Sequence, residues 1–462
     1  MRKILQKCKS GEIKFLFKCF SSKNTSYGKE ANVMKTYLEL SKAELKDTLK
    51  ILEMRYNELK SRNLTLDMTR GKPSPDQLDI ANEMPTLLDT NNLFAEDGSD
   101  CRNYGVPFGI KESRNLFGEI LGVDPELVTV GNNSSLQLMY DTLSRSLIFG
   151  ELGGEKPWGQ IENRKWLCPV PGYDRHFLVT ETLGFELIPV PLNNNGPDMD
   201  MVEKLVSEDA SILGMWAMPL YSNPDGYIYS EEVCKRLASM KTAAPDFRIL
   251  WDNAYVVHHL YDDPSKQGTL PDILKLCREA GNANRVYEFA STSKISFAGS
   301  GIACMAANEE NTTRARKYLG VQSIGPNKII QLMHAKYLPN LDAVKKVMSK
   351  QADILRPKFE MVLKTLSDEF MGSGIAHWNS PLGGYFVSVY LLNGTAKETV
   401  RLAKECGVAF TPAGATYPYK KDPNDSNLRI APSFPKVEDI ETAVTVFAVC
   451  AKLAAVRKLL EE

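Results

Sequence analysis

Between about residue 125 and residue 310 the chain alternates short, almost wholly apolar runs with longer amphipathic stretches. The runs fall at 127–130, 165–170, 185–190, 212–218, 247–251, 286–290 and 301–306. Between them lie segments of helical periodicity, such as 135–147, 199–206 and 230–240. This alternation predicts parallel βαβ units in one mostly parallel, seven-stranded sheet covered by helices on both faces, an α/β fold. Upstream, Ser41-x-x-Glu44 has the form of a capping box, and Leu45, Leu49, Ile51, Leu52 and Leu59 follow at helical spacing. Beyond about 340 the pattern changes. Residues 341–370 read as one long helix and 385–391 as a strand. A helix near 396–406, short strands near 408–410 and 428–431, and a helix from Val437 complete the chain. Segregated strands and helices predict a smaller α+β lobe, completed by the N-terminal helix at 41–61. The expected division is an extension at 1–40, a first part of the small domain at 41–80, a large domain at 81–335 and the rest of the small domain at 336–462.

Composition narrows the function classes. A net charge of -1 argues against nucleic acid as a partner, which shows as a basic surplus. No stretch approaches the roughly 18 consecutive apolar residues of a membrane-spanning helix. The 9 cysteines are scattered without a C-x-x-C pair, which predicts free thiols in a reducing compartment. The 5 histidines offer no metal-ligand spacing, so no metal centre is expected. Residues 1–30 carry Arg2, Lys3, Lys7, Lys9, Lys14, Lys18, Lys23 and Lys29 against Glu12 and Glu30. That segment reads equally as an organelle transit peptide or as an extension without an address. The expected location is cytoplasmic, or mitochondrial if the segment is a targeting signal.

Ligands of open α/β sheets bind beyond the carboxyl ends of the strands, so the polar residues that follow each apolar run are the candidates. They are Gly131-Asn132-Asn133-Ser134, Gly172-Tyr173, Ser222-Asn223-Pro224-Asp225-Gly226, Asp252-Asn253-Ala254-Tyr255 and Ser291-Thr292-Ser293-Lys294. No G-x-G-x-x-G or G-x-x-x-x-G-K-[ST] occurs, so dinucleotides and P-loop nucleotides have no support. Taken singly, each candidate has an ordinary reading. Lys294 resembles any solvated lysine, Asp252 is either a turn cap or a functional charge, and Tyr255 resembles a packed aromatic.

Together, Asn223-Pro-Asp-Gly226, Asp252-x-x-Tyr255, Ser291-x-Ser293-Lys294 and Arg429 form an ordered set. The intervals are 29 residues from Asn223 to Asp252 and 42 from Asp252 to Lys294. The set resembles the class I/II, fold-type I superfamily of pyridoxal-phosphate aminotransferases over about residues 41–462. Segments 68–75, 103–109 and 291–301 look closest to the subgroup Ic aspartate aminotransferases, near the MocR-like or alanine–glyoxylate aminotransferase-like family. The resemblance implies a pyridoxal 5'-phosphate cofactor tethered to Lys294 as a Schiff base, with the same amine moving the substrate proton in a ping-pong transfer. It implies that Asp252 pairs with the pyridine nitrogen, Tyr255 and Asn223 bond the ring hydroxyl, and Tyr173 stacks on the ring. Gly131, Asn132, Asn133 and Ser291 would hold the phosphate at a helix start, and Tyr104 would reach it from a second subunit of a homodimer. Arg429 would grip the substrate α-carboxylate as a bidentate fork, beside Gly71. Amino acids and 2-oxo acids, aspartate or glutamate among them, are the implied substrates.

Two departures stand out. The familiar arginine eight residues after the lysine is Ile302 here, so one phosphate cation is missing. The partner-subunit arginine for a distal carboxylate has no counterpart in 319–327, and Arg70 is the expected substitute. The same residues would serve a lyase acting at Cβ. A cofactor-sensing regulator would need an added winged helix of about 60 residues, and a non-catalytic binder would not need the complete set.

Overall fold

The computed structural model describes residues Lys35–Glu462, so the basic segment read as a transit peptide or unaddressed extension lies outside the described residues. Helix α1 (Lys42–Ser61) starts at the expected capping box. Ser41 Oγ accepts from the Glu44 amide while Glu44 Oε2 accepts from the Ser41 amide. A short strand, β1 (Leu66–Asp67), follows. The central sheet contains β2 (Val128–Val130), β3 (Lys165–Val170), β4 (Glu186–Asn193), β5 (Gly196–Pro197), β6 (Ile212–Ala217), β7 (Arg248–Asp252), β8 (Val286–Ser291) and β9 (Ala303–Ala307). Their order across the sheet is β2-β9-β8-β7-β6-β3-β4-β5.

Strands β3, β4, β6, β7 and β8 run parallel, so their carboxyl ends share one edge. Strand β9 is antiparallel to β8, and β2 is antiparallel to β9, which returns β2 to the common direction. All the exits picked out from the sequence therefore open on the same side. Strands β6 and β7 are buried along their whole length, which is why they read as continuous apolar runs rather than alternating ones. The sheet has eight strands, not seven. The extra one, β5, returns antiparallel on the end of β4, and its Gly-Pro sequence reads as a turn.

The second lobe holds an antiparallel sheet, β10 (Ala376–Trp378), β11 (Val387–Leu391) and β13 (Asn427–Ile430) in that order. Strand β12 (Val408–Ala409) pairs in parallel with β1, which draws the chain before Gly71 onto this lobe. Two large apolar cores result, beside a small one at Ala95, Cys101, Ile110 and Leu332, and the long helix at Leu341–Phe370 serves both large ones. Val344, Val347 and Met348 pack in the first core, while Leu355, Phe359, Val362 and Leu366 pack in the second. The handover falls between Met348 and Leu355. Leu45, Leu52, Tyr56 and Leu59 of α1 also enter the second core, as do Met218, Leu220 and Tyr255 from the strand exits of the large sheet. The C-terminal helix, Val437–Glu461, is buried on all sides from Ala443 to Val456 apart from Thr445, as expected of a helix apolar around its circumference. Among the described residues, no helix is long and apolar enough to cross a membrane.

One ion cluster joins three of these helices. Glu369 accepts from Arg55 Nη1 and Nη2 at 3.1 and 2.5 Å and from Lys452 Nζ at 2.6 Å. Burial alone would push this carboxyl up, but the bonds from Arg55 and Lys452 outweigh it and hold it below its ordinary value. A carboxyl lowered in the folded state stabilises above its unfolded pKa, and that contribution disappears as pH falls through the folded value. Glu369→Gln leaves Lys452 buried without its counter-charge, so denaturant unfolding at pH 7 should show a loss of about 3 kcal/mol. The wild type should lose more stability than the variant between about pH 5 and pH 3. Parallel pH curves for the two proteins would refute this assignment.

Candidate active site

Asp252 ends β7, 3% exposed, where the strand delivers its carboxylate to the common edge. Its Oδ2 lies 2.9 Å from His176 Nε2, and its Oδ1 has no hydrogen-bond partner. An ionised carboxylate only accepts, so His176 Nε2 carries the proton. His176 is itself fixed, stacked on Trp216 at 4.2 Å and 7° and packed against the edge of Tyr173 at 4.9 Å. Burial, with the charges of Asp174 and Asp252 adding, pushes the Tyr173 phenol up to about 12.

Lys294 sits on a tight turn after β8. Thr292 N donates to Ile302 O at 2.8 Å, Ile302 N returns to Thr292 Oγ1 at 3.0 Å, and the amides of Ile295 and Ser296 bond Thr292 O. The Lys294 amine lies 5.0 Å from the Tyr255 ring centre and 5.9 Å from that of Tyr385. These two rings stack at 5.9 Å and 16°, and Gln77 Nε2 donates to the Tyr385 hydroxyl at 3.0 Å. Lys294 keeps part of its surface open, yet the surrounding protein desolvates the amine and lowers its pKa, partly offset by the charge of Asp252. Burial likewise raises the Tyr255 phenol, which stays protonated as a donor. His258 packs edge-on to both rings. Burial, with the Lys294 charge adding, takes its pKa down to about 3, so it is neutral.

Arg429 arrives from β13 in the other lobe. Its Nη1 donates to Asn223 Oδ1 at 3.1 Å and to Asp174 Oδ1 at 3.0 Å, and its guanidinium lies 4.7 Å from the Phe386 ring centre. Gly71 backs the same ring, since a Cβ there would stand 2.2 Å from Phe386 Cζ. Asn223 is presented by a turn in which Gly226 N bonds Ser222 O at 2.7 Å, with Gly226 at φ +71. Beneath it Asp225 accepts from the Tyr390 hydroxyl at 3.0 and 2.9 Å, and burial raises its carboxyl to about 6.

At the opposite end, Ser134 caps the helix Ser135–Phe149. Ser293 Oγ donates to Asn133 O at 3.1 Å, and Ser291 Oγ donates to Ser293 Oγ at 3.1 Å. One expectation is corrected here. The Gly131 amide bonds Ala303 O at 2.8 Å, because pairing with β9 runs one residue past β2. The Gly131 amide is therefore taken, its missing Cβ makes room for Leu138, and the turn's remaining amides are those of Asn132 and Asn133. Ile302, 1% exposed, packs in the core and supplies no cation. Tyr104 is 82% exposed on its own chain's surface. Arg70 is also exposed, its Nε 4.0 Å from Asp67, outside the buried cluster.

Sequence reasoning missed His176, Asp174, Tyr385, Phe386, His258 and Lys328. His176 had a signal, since three residues after Tyr173 in a helix's first turn places both side chains on one face. Lys328 had none. Its ammonium bonds Asn103 O at 2.5 Å and Gly105 O at 3.1 Å, bracketing Tyr104, while the neighbouring Asn327 amide bonds Asn132 Oδ1 at 3.4 Å.

These residues fit pyridoxal phosphate. A buried carboxylate oxygen without a partner is costly unless a donor meets it, and a protonated ring nitrogen is such a donor. The Ser291 hydroxyl and the amides at a helix start suit a phosphate, and Lys294 is a desolvated amine beside them.

A family model described as Aspartate amino-transferase matches residues 40–462. An aspartate aminotransferase of Corynebacterium glutamicum is 48% identical over 404 residues, covering 87% of this chain and 93% of that one. The crystal structure of an aspartate transaminase from the same species superposes with a TM-score of 0.89 at 45% identity, over 92% of this chain and 99% of that chain. The α-aminoadipate aminotransferase LysN of Thermus thermophilus, complexed with N-(5'-phosphopyridoxyl)-L-leucine, shares the fold at 22% identity with a TM-score of 0.68, over 86% and 93% of the two chains. With this match and a site suited to pyridoxal phosphate, the chain belongs to the aspartate amino-transferase family and is a pyridoxal-phosphate-dependent aminotransferase of fold type I.

Proposed function

We propose that the enzyme moves the α-amino group of an acidic amino acid, aspartate or glutamate, to a 2-oxo acid in a ping-pong exchange on a single site. The observation that carries this reading is the convergence of Lys294, Asp252 and Arg429, three charges from distant parts of the chain, at the joint of the two sheets. The family's aspartate-named relatives support the acidic donor.

Pyridoxal phosphate, when bound, supplies an electron sink for negative charge at the substrate α-carbon. The chain's own residues do the rest. Asp252 offers Oδ1 to a protonated ring nitrogen, and His176 holds the carboxylate in place through Oδ2. Lys294, with its lowered pKa, has a larger neutral fraction than an exposed lysine, so its Nζ can act as nucleophile and then as carrier of the α-proton. Tyr255 and Asn223 would donate to the ring hydroxyl, and Tyr173 would cover the ring. The turn at Asn132 and Asn133 would take the phosphate with Ser291. Arg429 holds the α-carboxylate against Phe386, with Gly71 leaving room.

Tyr104 completes the phosphate site of a second copy in a homodimer. Its exposure, and the groove it lines with Arg102, Asn103, Asn327 and Lys328, support this. Free buried thiols support a reducing compartment, the cytoplasm, or a mitochondrion if the basic N-terminal segment directs the chain there.

The direct test is amino transfer from aspartate to 2-oxoglutarate, or from glutamate to oxaloacetate, run beside assays for pyruvate and ammonia. Transfer without ammonia supports the reading, and ammonia release without transfer replaces it with a lyase. Lys294→Ala should lower kcat by at least about 10⁴-fold.

Two further outcomes follow. In the apoenzyme, modification of Lys294 by a small amine reagent should titrate below the ordinary lysine value. Asp252→Asn should move the midpoint lower still, because it removes the charge that raises it. A midpoint unchanged by Asp252→Asn would contradict that coupling. Arg70→Ala should weaken dicarboxylic substrates by about tenfold more than monocarboxylic ones if Arg70 takes the distal carboxylate. Equal losses for both classes would remove Arg70 from the substrate site.

A further inference from the structure

Arg429 does not stand free for a ligand. The Nη1 group that bonds Asn223 also donates to a carboxylate of the same chain, Asp174 Oδ1, at 3.0 Å. The two partners differ in kind. Asn223 is a neutral amide, compatible with an anion on the same guanidinium. Asp174 is an anion, and a second carboxylate cannot settle at that Nη1 edge without repelling it or replacing it.

The geometry also says which partner can leave. The Arg429 side chain is 7% exposed and packed over Phe386, so it is held. The Asp174 side chain is 36% exposed and sits in the first turn of the helix Asp174–Thr182. A carboxylate released there stays in water and near the positive end of a helix, where an anion is favoured.

We infer that Asp174 is a built-in competitor for substrate carboxylate at Arg429. It occupies the guanidinium in the resting enzyme and must be displaced by every amino acid or 2-oxo acid that binds. The inference rests on the reading of Arg429 as the α-carboxylate site. Because the displacement is common to donor and acceptor, Asp174 raises KM for both. It touches none of the reacting atoms, so its effect belongs to binding, and KM moves more than kcat. It is an affinity-setting residue, one that makes the enzyme less responsive to low substrate without choosing between substrates.

The test uses holoenzyme and two unreactive carboxylates, maleate and propionate, titrated by calorimetry beside steady-state kinetics. Asp174→Asn keeps the shape and removes the charge. Both carboxylates should bind about tenfold more tightly, and KM for donor and acceptor should fall by a similar factor, the size of effect expected from a charge-assisted contact. Asp174→Glu, which keeps the charge, should gain little. Unchanged or weaker binding in Asp174→Asn would overturn the inference, since Asp174 would then be an inert partner or a support for Arg429. Arg429→Gln examines the underlying reading separately. It should abolish the binding of both carboxylates, and binding that survived it would remove Arg429 from the α-carboxylate site and the inference with it.

Discussion

Ending a fully buried strand on a carboxylate is costly unless its oxygens find partners, and Asp252 imposes that condition on everything around it. One oxygen is answered by His176, and His176 can do so only because Trp216 and Tyr173 fix the plane of its ring. The other oxygen is left for a ligand that brings its own proton. The same charge reaches Lys294 and works against the desolvation that lowers its pKa. The amine is thus set by two opposed effects, of which burial is the larger. A site with either effect alone would hold a different lysine. Burial without the anion would make it still less basic, and the anion without burial would leave it a strongly hydrated ammonium.

That arrangement depends on strand direction. The exits of β3, β6, β7 and β8 share an edge because these strands are parallel, while the Asn132–Asn133 turn joins them because two antiparallel steps, β8 to β9 and β9 to β2, restore the direction. Strand β9 therefore does more than extend the sheet. It carries the chain back from the Lys294 loop, and its first residue, Ala303, takes the Gly131 amide that positions the helix start. The two ends of the proposed cofactor site are tied through one strand.

Much of this could be read from the sequence where burial is complete. All seven apolar runs are strands, because strands covered on both faces leave no polar alternation to confuse the pattern. The long helix at Leu341–Phe370 was equally plain. What escaped was short or polar: β5 is Gly-Pro, β1 has two residues, and β10 has three with an exposed centre at His377. In the site, the residues at strand exits were visible, but their partners were not. Asp174 and Arg429 are 255 positions apart, and no local pattern joins them. The loss of a cation at Ile302 was legible as a letter. Its consequence was not, since only the structure reveals that the Ile302 backbone closes the Lys294 turn on Thr292.

The two sheets divide the chemistry between them. Lysine and carboxylate come from the large one, and the arginine comes from the small one. The apolar contact that joins them is made by residues such as Met218, Leu220 and Tyr255, which leave the large sheet and enter the second core. Polar contact is added by Arg429, which reaches back to Asn223 and Asp174. The first kind of contact is insensitive to small ligands, while the second involves the guanidinium proposed to hold the substrate carboxylate. A ligand that engages Arg429 therefore acts on a bond between the lobes as well as on a binding group. On the proposed reading of Arg429, substrate capture bears directly on one of the polar links between the lobes, while the bonds of Asp225 to Tyr390 and Asn379 stay outside it.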